Sequence, residues 1–178
     1  MPDDHLLSVL ATIRERGPIG EASLVDAVRR ADAFVASVPG LAVDLVDLGS
    51  GGGFPGLVIA VRRPDLRITL VERRTTRADL LHRAVRALDL GERCTVSTED
   101  AEMLARRSPA SVDVVTARSF AAPAVTARIG AALLRPGGHL LVAEPPEEQP
   151  DRWPPELLTS LHLVDLGRRE GVRAFVRQ

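Results

Sequence analysis

A cluster of glycines, three acids and one arginine carry the chemistry legible in this chain. An apolar run ending in Asp47 leads into Gly49, Ser50, Gly51, Gly52, Gly53, Phe54, Pro55 and Gly56, and a second apolar run follows. Glycine at such places lets the backbone take positive φ and lets a ligand lie against the main chain with no Cβ between them. A strand, a glycine turn and a helix in that order suit a flat, nucleotide-like molecule, the bland alternative being a tight turn with close helix packing. Glu72 closes the next apolar run, RITLVE, nineteen residues after Gly53. At that distance an acid reaches ribose hydroxyls in folds of this kind. Glu99, Asp100, Ala101 and Glu102 follow the third run. A carboxylate there can accept from an adenine amino group, while Asp100 reads equally well as the N-cap of the next helix.

Charge selects the ligand. Asp47, just ahead of the glycines, would repel a dinucleotide pyrophosphate by up to about 4 kcal/mol at about 4 Å. S-adenosyl-L-methionine offers an ammonium and a sulfonium in its place and is the expected cofactor. Arg73, which follows Glu72, is counted with the cofactor contacts, and with Arg74 and Arg77 it forms a basic cluster beside them. Arg118 ends the fourth apolar run, where it reads as a partner for a carboxylate, as an orienter of the methyl acceptor, or as a surface arginine.

Short apolar runs and helical periods alternate to position these residues. Apolar spacing predicts helices at 5–16 and 21–36, separated by a breaker at 17–20. Strands are predicted at 43–48, 67–72, 94–97, 112–117 and 139–143, with helices at 56–62, 76–88, 101–106 and 123–134 between them. Such crossovers imply a parallel, doubly wound sheet. Segments 161–168 and 172–177, joined by a turn at Arg169, Glu170 and Gly171, are too close for a crossover and must pair antiparallel. The expected fold is α/β, a Rossmann-like class I methyltransferase arrangement with a mostly parallel seven-stranded sheet and a C-terminal antiparallel hairpin. Residues 1–40 are expected to form N-terminal helices and 41–178 the cofactor-binding domain. LLRPGGHLLV is read as a helix stopped by Pro136 and Gly137, and the stretch after the fifth strand as either a lid or disorder.

Composition narrows the remaining classes. In 178 residues the net charge is −1, and all 23 basic residues are arginine. The arginines are scattered among acids, which permits an RNA partner without demonstrating one. No apolar run reaches the eighteen or so residues of a membrane span. The N-terminus lacks the pattern of a signal peptide, so a cytoplasmic location is expected. Cys94 is expected to be a buried strand thiol. The four histidines show no zinc-site spacing, so no metal site is expected.

DLGSGGGFPGL, LVERRTTRADLLHRAVRALDL, DAE and VVTARSFA together resemble the bacterial small-subunit ribosomal RNA methyltransferase family once called glucose-inhibited division protein B. The resemblance spans roughly 24 to 144. It implies cofactor contacts at Gly49, Phe54, Ala101, Glu102 and Arg118, and methylation of a guanine ring nitrogen in ribosomal RNA or the small ribosomal subunit. That nitrogen carries a lone pair, so no catalytic acid or base is nominated. Two positions depart from the family: Ser23 stands where its helix begins with histidine, and Glu144, Pro145 and Pro146 stand where it carries a lysine. Glu144, Glu147 and Glu148 are expected to oppose an RNA backbone, which leaves a small-molecule acceptor, or a non-catalytic cofactor-binding module, as alternatives.

Overall fold

The computed structural model describes residues 2–16, 23–147 and 149–178. The breaker expected at 17–20 and the predicted helix start at 21 lie outside the described residues. Helix α1 (Pro2–Glu15) and α2 (Leu24–Ser37) precede the sheet. In α2 the apolar spacing becomes a buried stripe of Leu24, Ala27, Val28, Ala31 and Phe34, and the Ser23 hydroxyl caps the helix by accepting from Asp26 N. Then follow β1 (Asp44–Leu48), α3 (Gly56–Arg62), β2 (Arg67–Val71), α4 (Thr75–Ala87), β3 (Cys94–Ser97), α5 (Ala101–Arg107), β4 (Val112–Ala117), α6 (Pro123–Leu133) and β5 (Leu134–Ala143). A short 3₁₀ turn (Pro150–Arg152), α7 (Pro155–Ser160), β6 (Leu163–Arg169) and β7 (Val172–Arg177) complete the chain.

The seven strands form one sheet in the order β3-β2-β1-β4-β5-β7-β6. β1 to β5 are mutually parallel, and β7 is antiparallel to both β5 and β6. Register brings the strand ends level: Leu48 pairs with Val71 and Ala117, and Val71 with Ser97. Glu72, Arg118 and the loop after Ser97 therefore meet at one carboxyl edge beside the glycines. One face of the sheet is covered by α1 to α4 through residues such as Leu6, Phe34, Leu57 and Leu81. Leu104, Ile129, Leu133 and Leu158 from α5, α6 and α7 cover the other.

Three expectations change. The helix ends at Leu133, before Pro136, because β5 begins at Leu134. Residues 135–138 then bulge out of the β4–β5 pairing, which slips between Val112 and Val114. The hairpin turn is only Glu170 and Gly171, both at positive φ, the two-residue form whose twist matches the strands. The stretch after β5 is anchored to the sheet. Glu144, with a side chain 4% exposed, accepts from Arg152 Nε and Trp153 Nε1 at 3.0 Å each, and Trp153 packs on Phe175 with ring centroids 4.8 Å apart. Cys94 is buried, and burial pushes its thiol up to about 12. No helix among the described residues is long and apolar enough to cross a membrane, and no described group of His, Cys, Asp and Glu is arranged to hold a metal.

Candidate cofactor site at the carboxyl edge

The glycine loop is braced from below. Asp47 is 1% exposed and lies beneath the loop. Its Oδ1 accepts from the Thr116 hydroxyl at 2.7 Å, and its Oδ2 from Gly56 N at 3.3 Å. The carboxylate thus joins β1, β4 and the first turn of α3. A Cβ on Gly56 would sit 2.6 Å from Asp47 Oδ2, so only glycine lets α3 start this close to the acid. Burial raises the Asp47 carboxyl to about 6, against the opposing pull of the hydrogen bonds from Thr116, Ser50 and Gly56 and of the Arg118 charge. Ser50 is also buried, its hydroxyl donating to Asp47 O at 3.0 Å.

Glu72 braces the loop from the side. It is 5% exposed, and its two oxygens accept from Gly51 N at 3.2 Å and Arg74 N at 2.9 Å. Gly49 (φ +65°) turns the chain where a Cβ would meet the Phe120 ring at 2.7 Å. Ser119, at φ +52°, sits between that ring and Arg118.

Above these braces lies a cavity of about 370 Å³. One wall is charged, with Glu72, Arg73, Arg74, Arg77, Glu99, Asp100 and Glu102; the other is apolar, with Phe120, Ala121, Val125 and Ile129. Gly49 and Ala101 also line it. A polar wall facing an apolar one suits a nucleoside, whose base offers a flat face and whose edge and sugar offer donors. Asp100 does cap α5, its Oδ1 accepting from Glu102 N at 2.8 Å, and it lines the cavity as well. The capping role therefore does not take Asp100 out of the cavity. Arg73, Arg74 and Arg77 make no side-chain hydrogen bond or ion pair among the described residues.

Asp47, Ser50, Gly51, Gly53, Phe54 and Arg118 do not line this cavity. Ser50, Gly51 and Gly53 build the loop, and Asp47 braces it from the end of β1. Phe54 is 7% exposed, and the Arg118 guanidinium lies over its ring, 5.1 Å from the centroid. Arg118 Nη1 is buried without a hydrogen-bond partner. Burial and the nearby Arg30 charge push the Arg118 pKa down, and Asp47 opposes them. Sequence reasoning passed over Phe120 and Thr116. Phe120's one signal was an aromatic residue just past a strand end; Thr116 had none, because a strand threonine 69 positions from Asp47 does not announce its partner.

Glu144 does not confront the site as a free acid. Besides Arg152 and Trp153 it has Arg173 Nη1 at 3.8 Å, so its charge is neutralised within the fold. Glu147 is exposed, and Glu148 lies outside the described residues. A larger groove of about 560 Å³ runs along β1 to β3, from Asp44 and Arg67 at their amino ends to Ser97 at the end of β3, with Leu104 and Arg107 of α5 beside it. It lacks the glycine loop, and ligands of open α/β sheets bind at the carboxyl edge.

Comparison with known proteins bears on the family and the fold. Residues 9–149 match the family model described as rRNA small subunit methyltransferase G. A curated protein of Xanthomonas axonopodis pv. citri (strain 306), named ribosomal RNA small subunit methyltransferase G, is 43% identical over 138 residues, covering 74% of this chain and 62% of that protein. The chain thus spans less than two thirds of that relative. Among solved structures, the [4+2]-cyclase SpnF superposes with a TM-score of 0.67 at 26% identity, covering 92% of this chain and 70% of that one. An O-methyltransferase from Bacillus cereus in complex with SAH gives a TM-score of 0.65 at 15% identity, covering 98% and 91%. The last two show a shared fold across different chemistries.

Proposed function

The chain belongs to the rRNA small subunit methyltransferase G family, and from that premise we propose that it transfers a methyl group from S-adenosyl-L-methionine to a guanine ring nitrogen of small-subunit ribosomal RNA. The observation that carries this reading is the cavity in which Gly49 at the start of the glycine loop, Glu72 and Asp100 meet an apolar wall. The residues present fit the cofactor. Glu72 and Arg73 flank the ribose; Asp100, Ala101 and Glu102 hold the adenine edge. Gly49, Ser50, Gly51 and Gly53 shape the loop along the methionine, and Asp47 fixes that loop from beneath. Phe54 and Arg118 border the methionine end, where the partnerless Nη1 of Arg118 suits a carboxylate. The bound cofactor supplies an electrophilic methyl group on a sulfonium.

The acceptor nitrogen attacks with its own lone pair, so no side chain need remove a proton first. The protein's part is to align donor and acceptor and to exclude water. Arg73, Arg74 and Arg77, exposed or half-buried beside the cavity and without acidic partners among the described residues, suit the phosphates of an RNA strand. A ribosomal substrate puts the protein in the cytoplasm, with α1 and α2 as the N-terminal helices of the methyltransferase.

Calorimetry with S-adenosylhomocysteine and NAD, followed by transfer of labelled methyl to small ribosomal subunits lacking the modification, tests the reading. S-adenosylhomocysteine is expected to bind and NAD not to, with label appearing in guanine of the ribosomal RNA. Binding without label would reduce the chain to a cofactor-binding module. Label in a small molecule alone would move the substrate.

A further inference from the structure

A buried acid and a buried hydroxyl stand side by side in a layer that is otherwise apolar. Asp47 and Thr116 are Cα partners across β1 and β4, and the period of two puts them on the same face as Leu45 and Val114, which belong to one buried cluster with Leu57 and Ile59 of α3 and Leu70 of β2. Asp47 is 1% exposed and Thr116 0%. An apolar pair of similar size would fill this layer with no charge taken out of water, so the fold itself does not require the acid. What the acid does is close the glycine loop. It lies at the loop's entry, and its Oδ2 accepts at 3.3 Å from Gly56 N, where the loop ends and α3 begins. The Thr116 hydroxyl donates to Oδ1 at 2.7 Å and so fixes the rotation of the carboxylate that offers Oδ2 to Gly56. Thr116 does not line the cavity, and its hydroxyl reaches the loop through Asp47.

Resting on the cofactor reading above, we propose that Thr116 is a positioning residue for S-adenosyl-L-methionine: its hydroxyl holds the Asp47 carboxylate against Gly56 N, and that clasp keeps the glycine loop in the shape that receives the cofactor. Groups that orient a binding residue in this way set its geometry without touching the ligand. The clasp needs both carboxylate oxygens as acceptors. Gly56 N can only donate, and a proton on Asp47 would turn one oxygen into a donor, so that either Gly56 N loses its acceptor or the Thr116 hydroxyl must turn. The hydroxyl also favours the ionised acid against the burial that opposes it. Cofactor binding is therefore expected to weaken as pH falls through about 6, and to weaken at a higher pH when the hydroxyl is removed. None of the groups around Asp47 titrates in that range: they are the Ser50 hydroxyl in the loop, Gly56 N on α3, the Arg118 guanidinium past β4, and Cys94 on β3, whose thiol is pushed up to about 12.

The test is calorimetry of the full chain with S-adenosylhomocysteine from about pH 5 to about pH 8, beside the thermal transition of each ligand-free variant. Thr116→Val keeps the shape and loses the hydroxyl; it is expected to bind about three- to tenfold more weakly at about pH 7 and to move the pH midpoint of binding upward. Thr116→Ser keeps the hydroxyl and should bring both back towards the wild type. In Asp47→Asn the pH dependence should vanish, and adding Thr116→Val to it should cost less affinity than Thr116→Val alone, since the two act through one clasp. A merely structural threonine would lower the thermal transition of Thr116→Val and leave the pH midpoint where it was, which overturns the proposal. Wild-type affinity in Thr116→Val, a Thr116→Ser no better than Thr116→Val, or fully additive losses in the double variant overturn it too. Should Thr116→Val not fold, the wild-type profile decides: affinity flat across the range overturns the proposal, and a fall that Asp47→Asn abolishes supports it. A wild type that binds no S-adenosylhomocysteine at any pH overturns the cofactor reading as well, whereas binding that ignores Thr116 ends only the positioning role.

Discussion

The two edges of the sheet treat charge in opposite ways. At the amino edge acids and arginines satisfy one another. Asp113 Oδ2 accepts from Val43 N and Asp44 N at 2.9 Å each, while its Oδ1 takes Arg135 at 2.7 Å. Asp44 holds Arg67 at 2.8 Å and Arg135 at 3.2 Å. The Arg67 hydrogen bond, with help from Arg135, holds the Asp44 carboxyl below its ordinary range. Burial alone would raise Asp113, but the backbone N–H groups and Arg135 outweigh it and lower that carboxyl too. At the carboxyl edge Asp47 is raised to about 6, Arg118 keeps a partnerless nitrogen, and Arg73, Arg74 and Arg77 form no ion pair among the described residues, although acids share their cavity wall. Charges that close on each other hold the chain together, and charges left open await something the chain does not itself contain. The carboxyl edge has its own pairs, Glu99 with Arg107 at 2.9 Å and Glu144 with Arg152 at 3.0 Å, so it is the unpaired arginines around the cavity that separate the binding end of this fold from its stabilising end.

The largest expected effect that would break this contrast concerns pH. An acid whose folded pKa is raised binds its proton more tightly in the folded state. Asp47's contribution to stability is therefore present at low pH and is lost as pH rises from about 4 to about 6, on the order of 3 kcal/mol in all. Asp44 and Asp113, lowered, behave oppositely: their stabilisation is present above the unfolded value and is lost as pH falls through their folded values. Denaturant unfolding of the ligand-free protein across that range should show the wild type losing stability relative to Asp47→Asn as pH rises. Parallel curves would put Asp47 with the amino-edge acids.

A middle-sized effect sharpens the contrast from the other end. Asp113→Ala leaves Val43 N, Asp44 N and part of Arg135 without their acceptor, and should cost about 1–3 kcal/mol of stability. Calorimetry should find its S-adenosylhomocysteine affinity unchanged once folded; an equal loss of affinity would mean that the edges are not independent.

The smallest effect is at Glu72. Its position at a strand end suggests that Glu72→Gln would spare the ligand-free protein, but the carboxylate holds both Gly51 N and Arg74 N, and an amide keeps only one acceptor oxygen. The expected result is a loss of about 0.5–1.5 kcal/mol in unfolding free energy together with weaker cofactor binding. A ligand-free stability identical to wild type would show that the loop does not depend on this brace.

Much of the fold was local enough to read along the chain. Strands at 94–97, 112–117 and 172–177 and the helix at 56–62 appear with the predicted bounds, because a period of two or a short apolar run between turn residues is a property of consecutive residues. So were the glycine loop and the acids at the strand ends, since their order fixes them on one edge of a parallel sheet. The segment after β5 escaped, because its order comes from Glu144 meeting Arg152, Trp153 and Arg173, and Trp153 meeting Phe175.

By itself, then, the sequence determined which residue types reach the carboxyl edge and what class of ligand they favour. Only the tertiary structure decided that Asp47 braces the loop from below while Glu72 and Asp100 face the cavity, that Phe120 forms its apolar wall, that Glu144 is neutralised, and that Arg118 Nη1 is left without a partner. Each of these depends on side chains brought together from strands and helices far apart in the chain, and burial or pairing at such meetings is set by packing, which no local pattern encodes.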